Sequence, residues 1–178
     1  MFDLKDEYLD EEASQDWITK PGCYEFEITE AKVVNSTSSK AQALELKLES
    51  DNGNAKLKLF HKDKDGLGVK FVERHIAHLV FLLQIQKDKV KPEHREGTGK
   101  MYFSCFENKR IGAVLEVKKN DKGFTEYVLK SFYGVNTKKT AKEIRDKVEQ
   151  PLFYNECMEK YTKKNTDENF VNGEEFPF

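Results

Sequence analysis

Between Cys23 and Phe60 the chain alternates apolar and polar residues with period two in three short runs. Tyr24, Phe26 and Ile28 alternate with Glu25, Glu27 and Thr29. Leu44, Leu46 and Leu48 alternate with Glu45, Lys47 and Glu49. Leu57 and Leu59 alternate with Lys56, Lys58 and Phe60. Alternation of this kind predicts strands with one face on a core and the other in water. Asn35-Ser36-Thr37-Ser38-Ser39 separates the first two runs and Asp51-Asn52-Gly53-Asn54 the last two, so the three should form an antiparallel meander. Its polar face carries Lys47, Lys56 and Lys58 with one aromatic, Phe60, among them.

After a charged turn ending at Gly66 the period changes. Val72, Ile76, Leu79 and Leu83 follow helical spacing, which predicts a helix over 69–85 that plugs one end of the sheet. Phe71, Val80 and Phe81 are expected to widen its buried stripe. Residues 86–100, with Pro92, Gly97 and Gly99, read as a loop, and Tyr102 to Phe106 as a short strand. Arg110 to Lys118 alternates again through Ile111, Ala113, Leu115 and Val117. Asn120-Asp121-Lys122-Gly123 is a hairpin turn. The last strand is predicted over Phe124 to Phe132, with Tyr127 and Leu129 inward. Thr140-Ala141-Lys142-Glu143 has the form of a helix-opening capping box, followed by an apolar stripe of Ala141, Ile144 and Val148. Pro151 interrupts, and a second short helix is expected over Leu152 to Tyr161.

Five strands with one helix between the third and fourth is the element order of the oligonucleotide/oligosaccharide-binding (OB) barrel. The expected fold class is therefore mainly β, a five-stranded OB-fold with a C-terminal helical extension and an acidic tail. The expected organisation is an acidic arm over 1–16, a mobile segment or a short helix. An OB domain follows over 17–135, then a helical extension over 136–164 and a tail over 165–178. Such barrels present ligands to the face of strands 2 and 3 between the strand 1–2 and strand 4–5 loops. Here that surface holds Lys47, Lys56, Lys58 and Phe60. Lys40 and Lys62 flank it on one side, and Lys118, Lys119 and Lys122 on the other. A basic groove with aromatic platforms is what single-stranded nucleic acid requires. Phe60 has two readings at this point, a stacking platform or a ring packed under the 86–100 loop. Tyr102, Phe103 and Phe106 read as core or loop anchors.

Charge sharpens the picture. The net charge is −2, but residues 1–16 carry −6 and residues 165–178 carry −4, which leaves +8 for the middle of the chain. Three scattered cysteines, Cys23, Cys105 and Cys157, suit a reducing compartment rather than a disulfide framework. No leader and no membrane-length apolar run is seen, so a soluble intracellular protein is expected. Catalytic chemistry finds no support. His75 and His78 flank the helix stripe without a third ligand and read as satisfied helix histidines. Asp63, Asp65 and Gly66 resemble part of a calcium loop but lack its spacing and closing glutamate. No phosphate-binding Gly-Lys-Ser/Thr loop or nucleophile elbow occurs, so no catalytic residue, metal site or cofactor is assigned.

The chain ends in Glu174-Glu175-Phe176-Pro177-Phe178. This resembles the acidic tip of bacterial single-stranded DNA-binding proteins, with glutamate in place of aspartate and fewer acids. The resemblance implies that Glu174, Glu175, Phe176, Pro177 and Phe178 dock the terminal ring and carboxylate into a replication or recombination partner. Over residues 17–135 the body also resembles phage-encoded single-stranded DNA-binding proteins of the OB type. Pro21-Gly22-Cys23-Tyr24-Glu25-Phe26-Glu27-Ile28, the leucine-alternating second strand, the helix and Lys109-Arg110-Ile111-Gly112-Ala113-Val114 carry that likeness. It implies a bacteriophage protein of DNA replication or recombination that coats single strands in the cytoplasm of an infected bacterial host. Two alternatives stand beside it: a strand-annealing or recombination-mediator protein, and a metal-dependent nuclease.

Overall fold

The computed structural model describes residues 16–173, with side chains to residue 165. Most of the acidic arm and the tip at 174–178 lie outside the described residues. The protein is mainly β, one antiparallel sheet of seven strands with a few helices. Strand β1 (Gly22–Asn35) is its centre. The second half of β1 pairs with β2 (Gln42–Ser50), which pairs with β3 (Gly53–Lys62). The first half pairs with β6 (Lys109–Lys119), which pairs with β7 (Thr125–Tyr133). An irregularity between Ile28 and Glu30 sits where β1 passes from one set of partners to the other. A bulge there bends the strand and raises its twist, which lets one strand serve both halves. A small hairpin of β4 (Glu93–Arg95) and β5 (Lys100–Tyr102) joins β1 at Lys32, beyond the last residue paired to β6.

β3 and β7 both run with β1 and lie against each other without forming a ladder. Two elements fill that seam. Helix α1 (Lys70–Leu82) packs on both strands near their ends, with the His75 ring edge-on to Phe132. At the other end residues 16–18 lie beside the start of β3. The Ile18 amide donates to the Asn54 carbonyl at 3.0 Å, and the Tyr127 hydroxyl donates to the Ile18 carbonyl at 2.7 Å. Inside, the alternating leucines of β2 and β3 meet Phe26, Ile28, Ile111 and Phe132 in one core.

Helices α2 (Ala141–Arg145) and α3 (Leu152–Gly173) follow the sheet. The capping box forms as expected: Thr140 Oγ1 accepts from the Glu143 amide, and Glu143 Oε1 accepts from the Thr140 amide. Glu143 Oε2 also accepts from the Phe153 amide, so one carboxylate joins the two helices. Helix α3 covers the outer side of β1 and β6 with Cys157 and Tyr161, against Val114 and Tyr133. Gly112 permits this packing, because a Cβ there would fall 2.2 Å from the Tyr133 ring. Burial, with Cys157 nearby, pushes the Cys23 thiol up to about 12, so it is a packing group rather than a nucleophile. No helix among the described residues is long and apolar enough to cross a membrane.

Several expectations need correction. Seven strands replace five, because residues 93–95, inside the segment read as a loop, pair with residues 100–102 at and just past its end. The strand expected over Tyr102 to Phe106 stops at Tyr102, and residues 104–106 form a 3₁₀ turn that drives Phe106 into the core. Phe71 and Phe81 do not widen the stripe of α1 but lie exposed, while His75 takes the buried position with neither ring nitrogen hydrogen-bonded. Helix α3 runs on to Gly173, past the boundary expected at 164.

Candidate nucleic-acid interface

The register of β1, β2 and β3 sets their outward side chains in rows. Glu30, Lys47 and Lys56 form one row, Lys32, Glu45 and Lys58 the next, and Val34, Ala43 and Phe60 a third. Phe60 is 46% exposed, and its neighbours along β3, Leu59 and Leu57, are buried, so its ring stands on the outer face. At that exposure Phe60 is not a core residue.

The middle row holds an unexpected feature. Alternation places Glu45 outward, but it is only 6% exposed. Its two oxygens lie 3.3 Å from the Lys32 amine and 3.6 Å from that of Lys58. Burial works against the charge on Lys32, but the carboxylates of Glu45 and Glu30 outweigh it and raise its pKa. Part of the positive charge of this face is thus neutralised in place. Lys56 is different. It stands directly opposite Lys47, and no ion pair involves it among the described residues. Like charges opposite one another in a sheet repel, so an anion laid between them is favoured. Among the described residues Lys47 has a loose pair, 3.9 Å to Glu49.

The β4–β5 hairpin extends the middle row through Tyr102, which pairs with Lys32. The Arg95 guanidinium lies 3.8 Å over the Tyr102 ring and is held by Glu107, with a further bond of 3.3 Å to Ser104 Oγ. Glu107 Oε2 also accepts from the Ala31 amide at 3.2 Å. This clamp fixes the hairpin beside the lysine face.

The loops fall at opposite ends of β3. The Lys40 amide donates to the Lys64 carbonyl at 3.0 Å, which seats the β1–β2 loop against the turn after β3, near Lys62 and Phe60. The β6–β7 turn, with Lys118, Lys119 and Lys122, lies beyond the start of β3, the end at which Tyr127 meets Ile18. Ten residues of strand span about 30 Å. The nine candidate residues therefore make one continuous group around Lys40, Lys47, Lys56, Lys58, Phe60 and Lys62, and a separate group of three on the far hairpin. Lys118 there pairs with Glu126 at 3.7 Å.

Four residues on or near this surface escaped the sequence reading. Lys32 and Arg95 enter through register and a short hairpin, which no periodicity announces. Phe124, 66% exposed, follows the lysines of the β6–β7 turn, where it read as the start of a strand. Trp17, 40% exposed, sits beside Asn54. A cleft of about 620 Å³ between α3 and the start of β1 is lined by Glu25, Glu27, Glu49 and Asp51 against Arg110, the wrong balance for a phosphate chain. Asp63 Oδ1 accepts from the amides of Asp65 and Leu67, which makes the calcium-like segment a hydrogen-bonded turn. Among the described residues no three His, Cys, Asp or Glu side chains group as a metal site. Comparison with protein-family models, with curated proteins and with solved structures gives no match for this chain.

Proposed function

We propose that this chain is a single-stranded DNA-binding protein, built as an OB-type barrel. In this reading β6 and β7 act as the fourth and fifth barrel strands, and β4–β5 is an inserted hairpin. The observation that carries the reading is Phe60, an outward ring on the same face as Lys47, Lys56 and Lys58, with the core leucines on the other side. Aromatic rings stack on bases at roughly 1–3 kcal/mol each, and lysines take the phosphates. The path of β1 across two sets of partners, and a helix at the seam of β3 and β7, also suit that barrel. The tip at 174–178 would then recruit a partner of phage or host replication or recombination through Phe176 and Phe178, since a few aromatic anchors dominate short interfaces.

The test is a gel-shift series with single-stranded DNA, duplex DNA and single-stranded RNA, with and without magnesium. Selective retardation of single-stranded DNA, without degradation, is the expected result. Magnesium-dependent loss of the DNA would point to a nuclease instead. Faster pairing of complementary strands than coating allows would point to an annealing protein.

A further inference from the structure

We propose that Trp17 is a second base platform, and that a bound single strand runs lengthwise along β3 from Phe60 to Trp17 over Lys58 and Lys56. This rests on the reading above and gives the site a direction and a length. Trp17 precedes every strand of the sheet, so nothing in the strand pattern marks it.

Three observations place its ring. Ile18 is buried, so the preceding side chain points the other way. Trp17 pairs with Asn54 in a parallel bridge, which puts it on the same face as Asn54. Along β3 the buried set is Ala55, Leu57 and Leu59, so Asn54 shares the outer face with Lys56, Lys58 and Phe60. The backbone that displays the ring is tied on both sides. The Asn54 amide donates to the Asp16 carbonyl at 2.7 Å, and the Ile18 amide donates to the Asn54 carbonyl at 3.0 Å. Gly53, at φ +130°, allows this close approach, because a Cβ there would meet Ile18 Cγ1 at 2.9 Å.

Phe60 and the position beside Trp17 are six residues apart on β3, about 20 Å at roughly 3.3 Å per residue. A stacked strand advances roughly 3.4 Å per nucleotide, so about six nucleotides bridge the two rings, and fewer when extended. Two separate rings with cations between them match the alternation of base and phosphate. A protein partner calls instead for one contiguous apolar patch. The Trp17 row continues through Asn54 to the acids Glu49 and Glu27, with Lys47 3.9 Å from Glu49, so the phosphate path is set by Lys56 and not by this row.

Trp17 is the only tryptophan, so its emission reports this ring alone. The full chain is titrated with oligo-dT of two to ten nucleotides, following tryptophan emission and the anisotropy of a labelled strand. Emission should be quenched on binding, and affinity should climb steeply to about four to six nucleotides before flattening. For an octamer, Trp17→Ala and Phe60→Ala should each cost about 5- to 150-fold, the range that one stacked base supplies. A trimer cannot reach both rings, so either substitution alone should cost it no more than about twofold. Trp17→Phe should keep most of the octamer affinity, and thermal melting checks that each variant is folded. Single-strand binding with unquenched emission, and with Trp17→Phe and Trp17→Ala both at wild-type affinity, overturns this inference and leaves the proposed function standing. No single-strand binding at all overturns both.

Discussion

Replacing Glu45 by glutamine should weaken the fold and strengthen DNA binding at once. Glu45 is the buried carboxylate between Lys32 and Lys58. Glutamine keeps its shape and removes its charge. The two lysine side chains are 20% and 49% exposed, so solvent screens part of the attraction, and the cost to stability is set below that of a fully buried pair, at about 1–3 kcal/mol. For binding, each phosphate contact with a single strand adds about −0.7 to the slope of log K against log salt. Freeing the more exposed Lys58 adds one such contact, and freeing Lys32 as well adds two. At 0.1 M salt this amounts to an affinity gain of about 5-fold for one contact and about 25-fold for two, with the slope steeper by about 0.7 to 1.4. Thermal melting and anisotropy titrations at several salt concentrations measure both effects on one protein. A lower melting temperature with unchanged affinity and slope would mean that Lys32 and Lys58 do not reach phosphate even when freed, and would refute this reasoning.

Phe60→Ala should weaken single-strand binding by roughly 1–3 kcal/mol while the variant stays folded, because the ring is half exposed on the outer face; a melting loss with unchanged affinity per folded molecule would refute the platform. His75 should make stability pH-dependent. Burial, then the nearby charges of His78 and Arg74, lower its pKa below the usual 6.5. The unfolded chain therefore takes up the proton first, so this contribution is fully present above about pH 6.5 and fades as pH falls below it. His75→Leu should flatten that slope and raise the melting temperature, since two unpartnered ring nitrogens leave the interior; an equally steep pH dependence in the variant would show that His75 is not its source. Deleting residues 174–178 should keep or slightly strengthen DNA binding, because the acids compete weakly for the lysines, and should abolish capture of a replication or recombination partner. Pull-downs and DNA titrations of both forms check this, and lost DNA binding or an unchanged captured set would contradict it.

Much of the fold is written in period-two runs. Leu44, Leu46, Leu48, Leu57 and Leu59 are all buried, and the same alternation puts Phe60 outside. The capping box at Thr140 is equally local, since its two bonds lie within one turn of chain. What the sequence hides is non-local. Strands of three residues cannot show a period, so β4 and β5 are identified only by pairing and by the Arg95–Glu107 clamp. Alternation says which way Glu45 points but not that two lysines from neighbouring strands close over it. On α1 the spacing of apolar residues cannot tell which flank of the stripe meets the sheet, so Phe71 and His75 exchange their expected places. Trp17 gains its setting from Asn54, 37 positions along the chain, through a single bridge.

The most direct test of the central claim is a salt titration of affinity for a single strand and for a duplex of the same length. With three or four of Lys40, Lys47, Lys56 and Lys62 on phosphates, the single-strand slope of log K against log salt should lie between about −2 and −3. The duplex should bind more weakly throughout, because its bases are stacked in pairs and closed to Phe60. A flat response to salt, or equal affinity for the duplex, would contradict the account.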